Sequence, residues 1–160
     1  MNAHDFAFTG MDAQPLPLSQ FAGKPALIVN TASECGLTPQ YAGLEKLHET
    51  YGARGLVVIG VPCNDFGAQE PGTEAAIKTF CERKYGVRFV LTHKEHVIGE
   101  SAHAFYRHAR ETLGNDAVPK WNFHKYLMDG RGRLQSFGSA IEPLAHELTG
   151  AIEKLLPKRT

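Results

Sequence analysis

Cysteine is scarce in this chain: three in 160 residues, at positions 35, 63 and 81, an odd number without paired spacing. Such a set does not build the disulfide framework of a small secreted domain, so reduced thiols in a cytoplasmic protein are expected. Net charge is missing too. Seventeen Lys plus Arg balance seventeen Asp plus Glu, with eight histidines beside them, and neither nucleic-acid binding nor attraction to a membrane surface is implied. No apolar run approaches the roughly 18 residues of a spanning helix. The first residues, Met1-Asn2-Ala3-His4-Asp5, lack the cationic-then-apolar order of a secretory leader. Repeats, low-complexity tracts and linkers are absent, and no histidine and cysteine pair shows zinc-like spacing, so no metal is expected. What remains is the expectation of one soluble cytoplasmic domain over residues 1 to 160, 42% hydrophobic and large enough for a real core, acting on a small or neutral partner.

What is present divides into strands and helices. Residues 4 to 25, with Pro15, Pro17, Gly23 and Pro25, suit a small N-terminal β-hairpin. Residues 26 to 31 read as a buried strand. Residues 39 to 51 read as a helix with Thr38 as N-cap, Pro39 at N1, Gly52 at its end, and Leu44, Leu47 and Tyr51 as its apolar stripe. A second apolar run, residues 55 to 61, stops at Pro62 and completes a parallel βαβ unit. Residues 73 to 85 read as a second helix with Ile77, Phe80, Cys81 and Tyr85 on one face. Residues 87 to 91 suit a short strand and residues 101 to 112 a third helix, on which His103, Arg107, His108 and Arg110 read as a solvated face. Residues 125 to 128 and 134 to 137 flank Asp129-Gly130-Arg131-Gly132 as a hairpin, and residues 143 to 156 close the chain with an amphipathic helix. The fold expected is α/β and thioredoxin-like, a central mixed sheet flanked by helices. At this level the inference concerns the fold alone, which hosts many chemistries.

Cys35 lies in the turn between the first buried strand and the helix that follows. Where a disulfide exchanger carries its second cysteine, this chain has Thr38. A lone thiol there suggests a nucleophile, because the thiolate is the reactive form and a helix N-terminus favours it. In a parallel α/β sheet, active groups gather at the carboxyl ends of the strands. Three segments meet that condition: the loop holding Cys35, the loop from Pro62 to Gly72, and Trp121-Asn122-Phe123 before the hairpin.

Those segments also carry a resemblance. Ile28-Val29-Asn30-Thr31-Ala32-Ser33-Glu34-Cys35-Gly36-Leu37-Thr38, then Pro62-Cys63-Asn64, Gln69-Glu70-Pro71-Gly72 and Trp121-Asn122-Phe123 occur in order. Together they make the chain similar to the glutathione peroxidase family, in its short, cysteine-containing bacterial form, over nearly its whole length. The resemblance implies that Cys35 attacks peroxide and that Gln69, Trp121 and Asn122 complete the site. It implies no cofactor beyond an external thiol reductant, thioredoxin or glutathione. Thioredoxin and a monomer are favoured, because only residues 114 to 120 stand where larger, tetrameric relatives carry a long insertion.

Elementary chemistry agrees with these assignments. A thiol of pKa about 8.5 is only about 3% ionised at pH 7, so full ionisation gains at most about 30-fold, or about 2 kcal/mol. Expelling an alkoxide or hydroxide needs more. The amides of Gln69 and Asn122 and the indole N–H of Trp121 are non-titrating donors suited to that developing charge, and the proton comes from the thiol through water. Attack leaves a sulfenic acid, which a second thiol converts to a disulfide. In relatives with an internal resolving cysteine it falls close to Cys81, although Cys81 also fits core packing on its helix face. A bridge to Cys35 would require local unwinding, since bridged Cα atoms are usually about 4.4 to 6.8 Å apart. Cys63 reads as a small core residue.

Four positions depart from the family pattern. Glu34 stands where a basic residue is common, Asp65 and Val61 replace glutamine and phenylalanine, and Val90 replaces a proline. A peroxiredoxin is excluded because its Pro-x-x-x-Thr/Ser-x-x-Cys loop is missing. The alternative left open is a non-enzymatic redox sensor that uses the same Cys35 to relay oxidation to a partner protein.

Overall fold

Six successive residues, β3 (Ala26–Thr31), are buried without exception, as a β-branched run between two covered faces must be. The computed structural model describes residues 2–157. Ahead of β3, the strands β1 (Ala7–Thr9) and β2 (Pro15–Pro17) pair antiparallel as the expected N-terminal hairpin. The main sheet adds β4 (Val57–Pro62), β5 (Val90–Leu91), β6 (Lys125–Met128) and β7 (Leu134–Phe137), in the order β5-β4-β3-β6-β7. β3 runs parallel to β4 and antiparallel to β6, so the sheet is mixed and thioredoxin-like.

Alternation along the strands sends side chains to two cores. Leu27, Val29, Val58 and Leu127 meet α1 (Gln40–Tyr51), α2 (Glu74–Tyr85) and α4 (His146–Leu155) on one face. Ile28, Ile59, Val61, Tyr126 and Met128 meet α3 (Ala104–Leu113) and the N-terminal hairpin on the other. Leu44, Leu47 and Tyr51 are buried as their helical spacing requires, and Tyr41 joins them. Thr73 caps α2 by accepting from the N–H of Ala76, and Gly86 ends it at φ +62°, a left-handed conformation that favours glycine.

Several boundaries differ from the expected ones. Thr38 does not cap α1, which begins after Pro39 without a side-chain cap. At its other end the helix passes through a 3-10 turn over Gly52–Arg54, and the reversal falls on Gly55 at φ +115°. α4 begins at His146, since Pro143 instead packs against Gly43 of α1, where an added Cβ would come within 3.0 Å of the ring. The strand expected over residues 87 to 91 shortens to Val90–Leu91 because the N–H of Val87 is drawn back to the carbonyl of Cys81. The histidines of α3 are not a solvated face. His103 caps the helix by accepting from the N–H of Phe105 and stacks on Phe8 at 4.3 Å, while His108 is buried beside Phe6. Helical spacing alone could not show that the N-terminal hairpin covers this surface. No helix among the described residues is long and apolar enough to cross a membrane.

Candidate active site

The carboxyl ends of β3 and β4 and the entry to β6 meet at one edge of the sheet, because β3 lies between a parallel and an antiparallel neighbour. Cys35 leaves β3 through a tight turn. Its N–H donates to Thr38 Oγ1 at 2.9 Å, and that hydroxyl donates on to the carbonyl of Ala32 at 2.9 Å. The residue standing in the second cysteine position of an exchanger thus holds the turn with hydrogen bonds instead of a disulfide. α1 starts only at Gln40, so its dipole, which falls off within the first turn, acts from beyond Cys35. The nearer donor is the N–H of Leu37, 3.3 Å from Cys35 Sγ, an interaction that strengthens when the sulfur is anionic.

All three cysteines are free. All three are buried, but Cys35 keeps 8% exposure, whereas Cys63 and Cys81 have none. Burial pushes the Cys63 thiol up to about 12 and the Cys81 thiol up to about 11, the latter against the opposing pull of the Tyr41 hydroxyl. Cys63 sits in the core beside α3, as expected of it.

Gln69 joins this edge from the loop after β4. Its carbonyl accepts from the N–H of Glu34 at 3.0 Å, one residue from Cys35. Its Oε1 accepts from Asn122 Nδ2 at 2.9 Å, which leaves the Nε2 amide as its remaining side-chain donor. Asn122 is fully buried, and the side chain of Glu34 is exposed. Trp121 is 36% exposed, so it is not a core aromatic. Its ring stands 5.9 Å from that of Phe66, and it fills the space an added Cβ on Gly67 would enter at 3.2 Å. The sequence-predicted Gln69, Trp121 and Asn122 therefore share one cluster, tied by backbone to the Cys35 turn. Cys81 is buried on α2, in the same hydrophobic core that takes in Cys35.

Three supporting residues were not legible beforehand. Asn30 donates from Nδ2 to the carbonyl of Trp121 at 3.1 Å and accepts at Oδ1 from the N–H of His124 at 3.1 Å. Its own carbonyl accepts from the N–H of Phe123 at 2.6 Å. Phe123 has φ +67°, a left-handed conformation costing a bulky residue about 1–3 kcal/mol. The buried Lys125 Nζ holds it there by donating to the Phe123 carbonyl at 2.7 Å, and burial lowers that ammonium's pKa to about 8. Asp65, a departure from the family pattern, accepts from the N–H of Val97 at 2.8 Å and contacts His96 Nδ1 at 2.7 Å, pinning the loop that precedes α3 to the loop that carries Gln69. Burial raises its carboxyl, but these hydrogen bonds outweigh that and leave its pKa lowered. Only the chemistry of the amide at Asn30, a polar residue ending an apolar strand, could have signalled one of them.

Residues 3–110 match the model of the glutathione peroxidase family. The chain is 44% identical to hydroperoxy fatty acid reductase gpx1 of Synechocystis sp., over 96% of this chain and 95% of that one. It is 41% identical to glutathione peroxidase-like peroxiredoxin gpx1 of Schizosaccharomyces pombe, over 96% and 98%. The crystal structure of Trgpx in apo form superposes with a TM-score of 0.76 at 30% identity, over 97% of this chain and 95% of that one. The chain belongs to the glutathione peroxidase family and is a thiol peroxidase.

Proposed function

We propose that Cys35 is the sulfur that attacks the hydroperoxide, and that Gln69, Trp121 and Asn122 form the donor cluster for the departing oxygen. The Cys35 thiolate displaces water or an alcohol from the peroxide and becomes a sulfenic acid; the thiol's proton reaches the leaving oxygen through water. Cys81 then condenses with it to a disulfide, and thioredoxin reduces that bridge. The single observation carrying the reading is that Cys35, alone of the three cysteines, keeps some exposure, at the edge where the Gln69–Asn122 pair and Trp121 converge. Asn122 acts through Gln69, whose oxygen it occupies. The apolar rings of Phe66 and Trp121 at this edge suit an organic hydroperoxide with a hydrocarbon tail, in keeping with what the Synechocystis relative is named for. The protein works as a single cytoplasmic domain and a monomer, without a prosthetic group.

The test is NADPH consumption with hydrogen peroxide or a fatty-acid hydroperoxide, reduced thioredoxin and its reductase, run beside glutathione and its reductase. Sustained turnover with thioredoxin, lost in Cys35→Ser, is the expected result. Turnover that survives Cys35→Ser removes the assignment, and turnover with glutathione alone removes the reductant.

A further inference from the structure

The carboxylate of Glu70 is buried between the two cysteine-bearing segments, and one of its oxygens has no hydrogen-bond partner. Its backbone N–H is used, donating to Asn64 Oδ1 at 2.8 Å, but the residue is 1% exposed and Oε2 has no hydrogen-bond partner. The hydroxyl and the backbone N–H of Ser33 both lie near enough to favour the charged form, although Ser33 Oγ has no partner in hydrogen-bonding geometry. Leaving such groups unpaired away from water is costly and calls for an explanation. Glu70 lines a cavity of about 240 Å³ whose other walls are Ser33 and Glu34 of the Cys35 turn and Ala76, Ile77 and Phe80 of α2. Ile77 and Cys81 are one helical turn apart on the same buried face. The cavity thus lies between the Cys35 turn and the face of α2 that carries Cys81.

We infer that Glu70 takes the proton from the Cys81 thiol as that thiol attacks oxidised Cys35. This rests on the reading of Cys35 and Cys81 given above. The S–H proton passes to the carboxylate while the Cys81 sulfur bonds to the Cys35 sulfur. The Cys35 S–O bond breaks with its electron pair on oxygen, and the departing hydroxide recovers the proton from Glu70 as water. Cys81 is oxidised and Cys35 reduced, both to the disulfide level, and the carboxylate returns unchanged. Burial raises the basicity of Glu70, against the pull of Ser33 and Lys94 and with the push of Glu34. The charge of Glu70 in turn opposes ionisation of Cys81 and Tyr41, as Glu82 does for Cys81. Transfer onto Glu70 removes that opposition at the moment the sulfur becomes nucleophilic.

Rapid-quench mass spectrometry of the full-length protein separates the two steps, reading the sulfenic acid by trapping and the bridge directly. In Glu70→Gln, oxidation of Cys35 is expected within about 2-fold of wild type, with bridge formation slowed by about 100-fold. The variant's bridging rate should climb with hydroxide between about pH 6 and 9 more steeply than the wild-type rate does. Glu70→Asp should recover part of the loss, as should formate added to Glu70→Ala. A bridge that forms in Glu70→Gln at the wild-type rate, or both steps slowing equally, overturns the inference alone. A wild type that forms no Cys35–Cys81 bridge overturns the resolving role of Cys81 and the inference with it.

Discussion

Asn30 holds Trp121 from a distance of 91 residues: its amide donates to the Trp121 carbonyl at 3.1 Å, from the end of the strand that leads into Cys35. One side chain thus sets the separation between the thiol's strand and the indole's segment, and its Oδ1 holds His124 in the same act. Asn30→Ala strands a buried N–H, at about 1–3 kcal/mol, and a part-buried carbonyl at somewhat less. Urea unfolding should show a loss of about 2–4 kcal/mol. Peroxide turnover should fall by at least about 10-fold, since misplacement by an ångström is costly in a preorganised site. Turnover at the wild-type rate would mean that the Trp121 segment is placed by other contacts.

Thr38 does for the Cys35 turn what a disulfide does in an exchanger. Thr38→Val keeps the shape but removes both hydrogen bonds, to the N–H of Cys35 and the carbonyl of Ala32, in a buried setting. A destabilisation of about 2 kcal/mol is expected, with slower oxidation of Cys35 by peroxide. Thr38→Ser retains the hydroxyl and should restore most of both. Equal stopped-flow oxidation rates in the valine variant and wild type would show that the turn holds Cys35 without Thr38.

How much of this was legible beforehand follows from the range of the forces involved. β3 and β4 could be read because apolar continuity is a local pattern, and α2 because Ile77, Phe80, Cys81 and Tyr85 recur at helical spacing. Cys35, Gln69, Trp121 and Asn122 were found by motif, and the motif names them without geometry. Thr38 was misread as a helix cap because a hydroxyl before a proline fits that pattern, and only the folded turn offers it the Ala32 carbonyl. His103 and His108 were misread because their cover comes from residues about a hundred positions away in sequence. Side-chain bonds to distant backbone leave no periodicity, so the partners of Asn30 stayed invisible, and the role of Lys125 did so because its bond to the Phe123 carbonyl depends on a left-handed backbone at Phe123 that no local pattern announces.

Gly67 sets the position of the indole. At φ +66°, with Trp121 Cη2 3.2 Å and Gln69 Cδ 3.5 Å from where a Cβ would stand, it leaves room for both side chains. Gly67→Ala should cost about 1–2 kcal/mol from the left-handed backbone. Its larger effect should be on activity, about 10-fold or more, as the indole and the Gln69 amide are pushed from a preorganised cluster. Trp121→Phe, which removes the N–H but little bulk, tests the same cluster through its donor. Should Gly67→Ala retain full turnover while losing stability, the position of the Trp121 ring does not matter to the reaction.

His124 gives the site segment an acid limit. It is 5% exposed; burial lowers its pKa to about 4, and the adjacent Lys125 ammonium pushes the same way. The folded state therefore keeps the imidazole neutral at pH values where the unfolded chain, near its ordinary 6.5, is already taking up a proton. Between those two values the unfolded state binds more protons, so stability falls as pH falls from about 6.5 to about 4 and the loss is complete below. The full contribution is about 3 kcal/mol at most. His124→Gln keeps a polar group near Ser136 Oγ, which the ring nitrogen Nε2 meets at 2.8 Å in the native protein, but cannot titrate. Urea unfolding of both proteins at intervals from about pH 7 to 4 should give curves that converge as the pH falls, the wild type losing the larger share. Other acid-labile groups, Asp65 among them, cancel in that difference. Parallel curves would show that the imidazole is already charged, or never desolvated, in the folded protein.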